Sequence, residues 1–189
     1  MDSDIALHAA LVIRGTNALL LCGEPGAGKS TLAMALGFEG YVFGGDDIAI
    51  LRRSGAAQGI PFAPTLKSGS WKLWPAMHEA ISPHPVHQRL DGKRVRYVEG
   101  TRYAPDRPWP LAGIVFLRRS NRGKAALAPV DQVEALSRLA SGAYTPTGRL
   151  SNAQFRRLVD TVSKVGAVEL SYRHAEDAAA ALGLYHAAQ

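Results

Sequence analysis

"LLLCGEPGAGKSTLAMALGF", residues 19–38, runs from an apolar stretch through three glycines, a lysine and two hydroxyl residues into a stretch of helix formers. Within it, Gly23-Glu24-Pro25-Gly26-Ala27-Gly28-Lys29-Ser30 has the form G-x-x-x-x-G-K-S, with a strand expected before it and a helix after it. Glycines at this spacing let successive backbone N–H groups turn inward around phosphate oxygens, and the following helix adds its positive end. Lys29 then reaches the β- and γ-phosphates, the Ser30 hydroxyl suits Mg²⁺, and Thr31 closes the binding stretch. The competing reading is a tight turn between two buried elements that binds nothing. The flanking strand and helix favour the phosphate.

A second feature follows 17 positions after Lys29, where Asp46-Asp47 ends the β-rich "YVFGG". A β-α-β crossover brings such a strand end back beside the phosphate loop. Adjacent carboxylates repel unless a cation or proton intervenes, and Mg²⁺ on a nucleotide supplies the cation. One carboxylate then holds the metal or its water while the other accepts a proton from an attacking hydroxyl. The residues leave that division open, with Ser30 and Asp47 as the first choice of metal ligands. In isolation "GGDD" is also good turn chemistry.

Outward from the loop, "IALHAALVI" and "NALLLC" read as strands joined by the turn "RGTN", and "KSTLAMALGF" as a helix closed by Gly40. "IAILRR" and "GIPFAP" read as further strands, Pro75 starts a short helix through Ile81, and "RVRYVE" alternates as a strand does. "LAGIVFL" is a continuous apolar strand buried on both faces. In the last third, "PVDQVEALSRLAS" and "LSNAQFRRLVDTVSKV" are amphipathic helices with Asp or Ser caps. "AVELSY" is a strand and "HAEDAAAALGLYHAA" a closing helix. Segments around 54–70 and 100–110 read as loops. The whole predicts one α/β domain over 1–189, with a mixed, partly parallel sheet and a helical C-terminal third.

Composition narrows the class. No apolar stretch approaches the roughly 18 residues that span a bilayer, and "MDSD" is acidic where a secretory signal is basic. The single cysteine, Cys22, forms no internal disulfide and sits in an apolar strand, which fits a cytoplasmic chain. The net charge of +6 comes from dispersed arginine clusters without aromatic interleaving, so nucleic acid is unsupported; a solvated basic surface is the plain reading, and an acidic ligand such as a nucleotide, or an acidic partner protein, benefits from the same field. His78, His84 and His87 lie in or beside a Pro-rich loop without zinc-site spacing. Trp71 and Trp74 read as core before adenine stackers. Lys67 and Arg94, Arg96, Arg102 and Arg107 are candidates for phosphate or transition-state contact, with solvated surface as the default.

Three features together resemble the catalytic domain of HPr kinase/phosphorylase, a P-loop serine kinase related in fold to phosphoenolpyruvate carboxykinase. "LHAALV" looks like that family's L-H-G-x-L-V strand, with His8 15 positions before Gly23; "GEPGAGKS" follows in register; and "GGDD" resembles its A-D-D. The likeness is clear over 5–51 and faint beyond, where "APTLKSGSW" stands in place of the family's glycine-rich signature. The family's separate N-terminal domain has no counterpart ahead of His8. The resemblance implies that His8 lies near the transferred phosphate and that Asp46 and Asp47 supply acid/base and metal-associated carboxylates. It implies an ATP- and Mg²⁺-dependent kinase acting on a hydroxyl, such as a serine of a protein or peptide, with no membrane partner and homo-oligomers allowed. A nucleotide-binding regulatory module without transferase activity and a small-metabolite kinase are the alternatives.

Overall fold

The computed structural model describes residues 4–99, 102–145 and 148–188. Its centre is a six-stranded mixed sheet in the order β11-β13-β10-β3-β2-β4. These are β2 (Ala9–Arg14), β3 (Asn17–Cys22), β4 (Val42–Gly45), β10 (Leu111–Arg119), β11 (Ala126–Pro129) and β13 (Ala167–Tyr172). β3, β10 and β13 run parallel, whereas β2, β4 and β11 pair antiparallel to their neighbours. The β2–β3 hairpin turns with Arg14 opposite Asn17, as the "RGTN" reading requires.

Strand alternation sends side chains to two cores. Val12, Leu19, Leu21, Val115 and Leu117 face one core, closed by α1 (Lys29–Phe38), α2 (Pro75–Ile81) and α5 (Ala175–Ala187). Leu11, Leu20, Cys22, Ile114 and Phe116 face the other, closed by α3 (Gln132–Ser141) and α4 (Asn152–Val165). Both latter helices are capped as expected: Asp131 accepts the amides of Val133 and Glu134, and Ser151 forms a reciprocal box with Gln154. The second core also includes a small antiparallel sheet, β12-β1-β5-β6, made of β1 (Ile5–Leu7), β5 (Ala49–Leu51), β6 (Ala57–Gly59) and β12 (Ala143–Tyr144). A third sheet, β7-β9-β8, comprises β7 (Thr65–Lys67), β8 (His87–Gln88) and β9 (Arg94–Tyr97).

Several sequence expectations change. "IALHAALVI" is two strands, because the chain leaves the small sheet at His8 and enters the large one at Ala9. "GIPFAP" is not a strand beyond Gly59: Pro61 and Pro64 lack the N–H that a ladder needs. Thr65–Lys67, expected in a loop, pairs with β9. Beside its three helices and the expected strand β13, the C-terminal third also carries β11 and β12. Of the 100–110 loop, Gly100 and Thr101 lie outside the described residues, while Tyr103 and Trp109 bridge to Phe43 and Ala57.

Candidate phosphate-binding active site

The chain leaves β3 at Cys22, crosses Gly23–Gly28 and enters α1 at Lys29. Gly26 (φ 93) and Gly28 (φ 98) adopt backbone that side chains resist. Gly28 is the N-cap residue of α1 and brings no capping side chain, so the helix's first-turn amides are left for another acceptor. The loop is held from beneath. The Tyr172 hydroxyl, at the end of β13, donates to the Ala27 carbonyl at 2.7 Å, and a Cβ at Gly28 would lie 2.5 Å from that same oxygen. Tyr172 is buried. Lys29, only 5 % exposed, folds back to donate to the Gly23 carbonyl at 2.8 Å.

β4 returns antiparallel to β2, so it is parallel to β3 but separated from it by one strand. The crossover nevertheless carries Asp46 and Asp47 to the loop end of the sheet, where both charges act on Lys29. The glycines before them serve a close approach within a strand. A Cβ at Gly44 would meet the Ile13 side chain at 2.5 Å, and one at Gly45 the Ile60 carbonyl at 2.7 Å. Asp47 then takes φ 63, the one non-glycine among the described residues in left-handed backbone. Such strain is retained where a side chain must be aimed.

The two aspartates differ sharply. Asp46 is 2 % exposed; its Oδ1 accepts the Asp47 amide at 3.0 Å, while its buried Oδ2 has no hydrogen-bond partner among the described residues. Burial pushes its carboxyl above the usual range and the Asp47 charge adds to the rise, while the Ser30 hydroxyl and the Thr65 amide, close to the carboxyl without completing a well-formed hydrogen bond to Oδ2, oppose it. The Asp47 side chain is 59 % exposed, with Oδ1 3.7 Å from His8 Nε2. His8 is fixed by its position between two sheets and by its amide, which donates to the Gly142 carbonyl at 2.8 Å. Burial, then the Lys29 charge, holds its imidazole below the ordinary value, and Asp47 works against both. Burial likewise lowers the Lys29 ammonium; Asp47 and Asp46 oppose this, and Lys67, at the end of β7, reinforces it.

His8, Lys29, Ser30, Asp46 and Asp47, separated by up to 39 positions in sequence, are thus brought to one end of the central sheet. Cys22 sits below them with its thiol pushed up to about 12 by burial, which leaves it a core residue. Other candidates are used elsewhere. Arg96 donates to the Ile81 and Ser82 carbonyls at 2.6 and 2.5 Å and stacks over Trp71; Arg107 stacks over Trp109 at 3.7 Å. Trp71 and Trp74 pack in the first core. Tyr172 has no sequence signal, because only the folded sheet shows that β13 ends beneath the loop.

No family model matches the chain, and no curated protein sequence matches it. Among solved structures it is similar to the HPr(Ser) kinase/phosphatase from Coxiella burnetii, at 9 % identity and a TM-score of 0.39, over 95 % of this chain and 86 % of that one. The likeness is too distant to carry any residue's role across.

Proposed function

We propose that the chain is an ATP- and Mg²⁺-dependent kinase that transfers the γ-phosphoryl group to a hydroxyl, with a serine of a protein or peptide as the acceptor class. The single observation that carries this reading is the buried, unpartnered Oδ2 of Asp46 beside a glycine loop that leaves helix amides open. An orphaned buried carboxylate oxygen costs on the order of 1–3 kcal/mol or more, and a cation is the natural partner for it.

The residues fit a divalent ion. No group of three His, Cys, Asp or Glu side chains stands within metal-ligating reach among the described residues, so the protein offers few ligands of its own. Mg²⁺ is suited to that arrangement, since it keeps several waters and takes phosphate oxygens together with one or two protein groups. Asp46 and Ser30 would hold it, which moves the metal role from Asp47, the first choice on sequence, to its buried neighbour. Once bound, it would neutralise charge on the β- and γ-phosphate oxygens.

The chain's own residues do the rest. Loop amides and Lys29 orient the polyphosphate; to do so, Lys29 exchanges its bond to the Gly23 carbonyl for phosphate oxygens. Asp47, exposed, accepts the proton of the acceptor hydroxyl as that hydroxyl's oxygen bonds to the γ-phosphorus and the β–γ bridging bond breaks, leaving ADP. His8, its imidazole held below the ordinary value by burial, stands 3.7 Å from Asp47 and positions it toward that hydroxyl.

The test is incubation of the purified protein with Mg²⁺, γ-labelled ATP and serine-containing peptides, alongside Lys29→Ala. The expected product is acid-stable phosphoserine in the wild type and none in the variant. Absence of transfer, or undiminished transfer by Lys29→Ala, would contradict the reading.

A further inference from the structure

A cleft of about 420 Å³ opens beside the phosphate loop, on the face of the sheet covered by α3. Glu24 and Pro25 of the loop line one part of it, and Ser137, Ser141 and Gly142 at the C-terminal turn of α3 line another. Leu7, Phe116 and Leu139 give it apolar surface. Its volume falls within the roughly 300–1,000 Å³ of ligand clefts.

The cleft borders the transferring end of the site. His8 lines it, and His8 Nε2 stands 3.7 Å from Asp47 Oδ1, so the cleft reaches the carboxylate assigned to the acceptor's proton. The charges of Lys29, Asp47 and Glu24 all act on His8, which gathers the phosphate lysine, the base and the cleft wall around one imidazole. The loop's open amides belong to α1, on the face of the first core, whereas the cleft lies on the face of the second. A hydroxyl entering here comes from the side away from that helix, which suits the in-line arrangement of attacking and leaving oxygens.

Charge sets the kind of molecule that enters. Glu169 accepts from Arg118 Nε at 2.7 Å and from Arg138 at 2.9 Å, and Glu134 also pairs with Arg138. Two carboxylates thus answer the two arginines of the cleft. The Glu24 side chain is exposed and has no hydrogen bond or ion pair among the described residues, so its charge is left over. The negative end of α3 adds to it. An anionic segment is therefore a poor occupant, and one that carries a cationic side chain next to an apolar one is a good occupant.

We propose that this cleft is the acceptor site, seating a peptide segment whose serine lies beside an apolar residue and a basic residue, with Glu24 reading the basic one. The inference rests on the kinase reading above and gives it an acceptor specificity that no motif marks.

The experiment measures Mg²⁺·ATP-dependent transfer to two peptides that share a serine beside a leucine and differ in one neighbouring residue, lysine in one and glutamate in the other. Wild type should favour the lysine peptide by about fivefold or more in kcat/KM, since an attraction at an exposed site is exchanged for a repulsion. Glu24→Lys should reverse that preference; the ratio is read within each protein, so any effect of the substitution on nucleotide binding cancels. Ser137→Trp, which fills the cleft from α3, should raise KM for the lysine peptide several-fold while the Kd for Mg²⁺·ATP stays within about twofold. Both positions are exposed, so the fold survives the changes. Free serine, which lacks both flanking groups, should be a poorer acceptor than the lysine peptide. No preference for the lysine peptide, a preference that survives Glu24→Lys, an unmoved KM in Ser137→Trp, or free serine used as well as the peptide would overturn the acceptor cleft and leave the kinase reading standing. Transfer to none of the three acceptors would overturn both.

Discussion

Gly28→Ala and Tyr172→Phe together test whether the loop has the shape that phosphate binding requires. Alone, Gly28→Ala puts a side chain at φ 98, at a cost on the order of 1–3 kcal/mol, and sets a Cβ 2.5 Å from the Tyr172 hydroxyl. Tyr172 is 1 % exposed and has little room to retreat, so the clash adds to the backbone strain. Alone, Tyr172→Phe leaves the Ala27 carbonyl without its 2.7 Å donor, which costs about 1–3 kcal/mol. In the double variant the offending oxygen is gone, and the next ring atom stands 3.7 Å from the new Cβ, an ordinary contact. The two costs therefore add to less than their sum, by about 1 kcal/mol or more. Urea unfolding of the four proteins measures the coupling, and tripolyphosphate affinity follows it in the same samples. A double variant whose destabilisation equals the sum of the singles within about 0.5 kcal/mol would refute the tyrosine prop.

Asp46→Asn should raise the stability of the metal-free protein at neutral pH while abolishing transfer. The native carboxyl is raised by burial, so its favourable contribution is full below the ordinary carboxylate range and is lost as pH rises through the folded value. The gain should accordingly vanish at pH below about 4, and Mg²⁺·ATP should raise the melting temperature of wild type far more than that of the variant; a variant less stable than wild type at pH 7 would contradict this. His8, followed by NMR titration, should show a midpoint below the ordinary 6.5 that moves upward in Lys29→Ala, because the lysine charge is one cause of the lowering; an unmoved midpoint would remove that coupling. Gly45→Ala should destabilise the β4 edge by about 2 kcal/mol or more and cut phosphate transfer, since its Cβ would meet the Ile60 backbone at 2.7–2.8 Å; a neutral effect in thermal unfolding would show that the aspartates are not placed by that close packing.

Much of this site is written locally. The glycine spacing, the lysine and the strand–helix flanks act within ten residues, and they form as the sequence reading expects. Helices α2, α3, α4 and the strand β13 likewise carry their own caps, prolines or alternation, and their bounds agree closely with that reading. What failed was governed by distant partners. The break at His8 exists because two sheets compete for one apolar run, and nothing in "IALHAALVI" marks where the chain changes allegiance. Strand β7 forms because β9 is there to pair with it, against a local composition that reads as loop. The unequal burial of Asp46 and Asp47 is invisible in two adjacent identical letters; it depends on where the folded sheet places the end of β4, with Asp46 buried and Asp47 turned to solvent in left-handed backbone. Tyr172 lies 145 positions from its acceptor and could be found only from the finished sheet.

The paired placement of loop and carboxylates is tested most directly by adding Mn²⁺·ATP in place of Mg²⁺·ATP and following paramagnetic broadening of backbone amide signals. The account predicts that the amides of Gly26–Thr31 and those of Asp46 and Asp47 broaden together at the same low metal fraction, and that Lys29→Ala removes the effect. Broadening at residues 26–31 that leaves 46 and 47 sharp would contradict it, because the two acids would then stand apart from the phosphates they are held to serve.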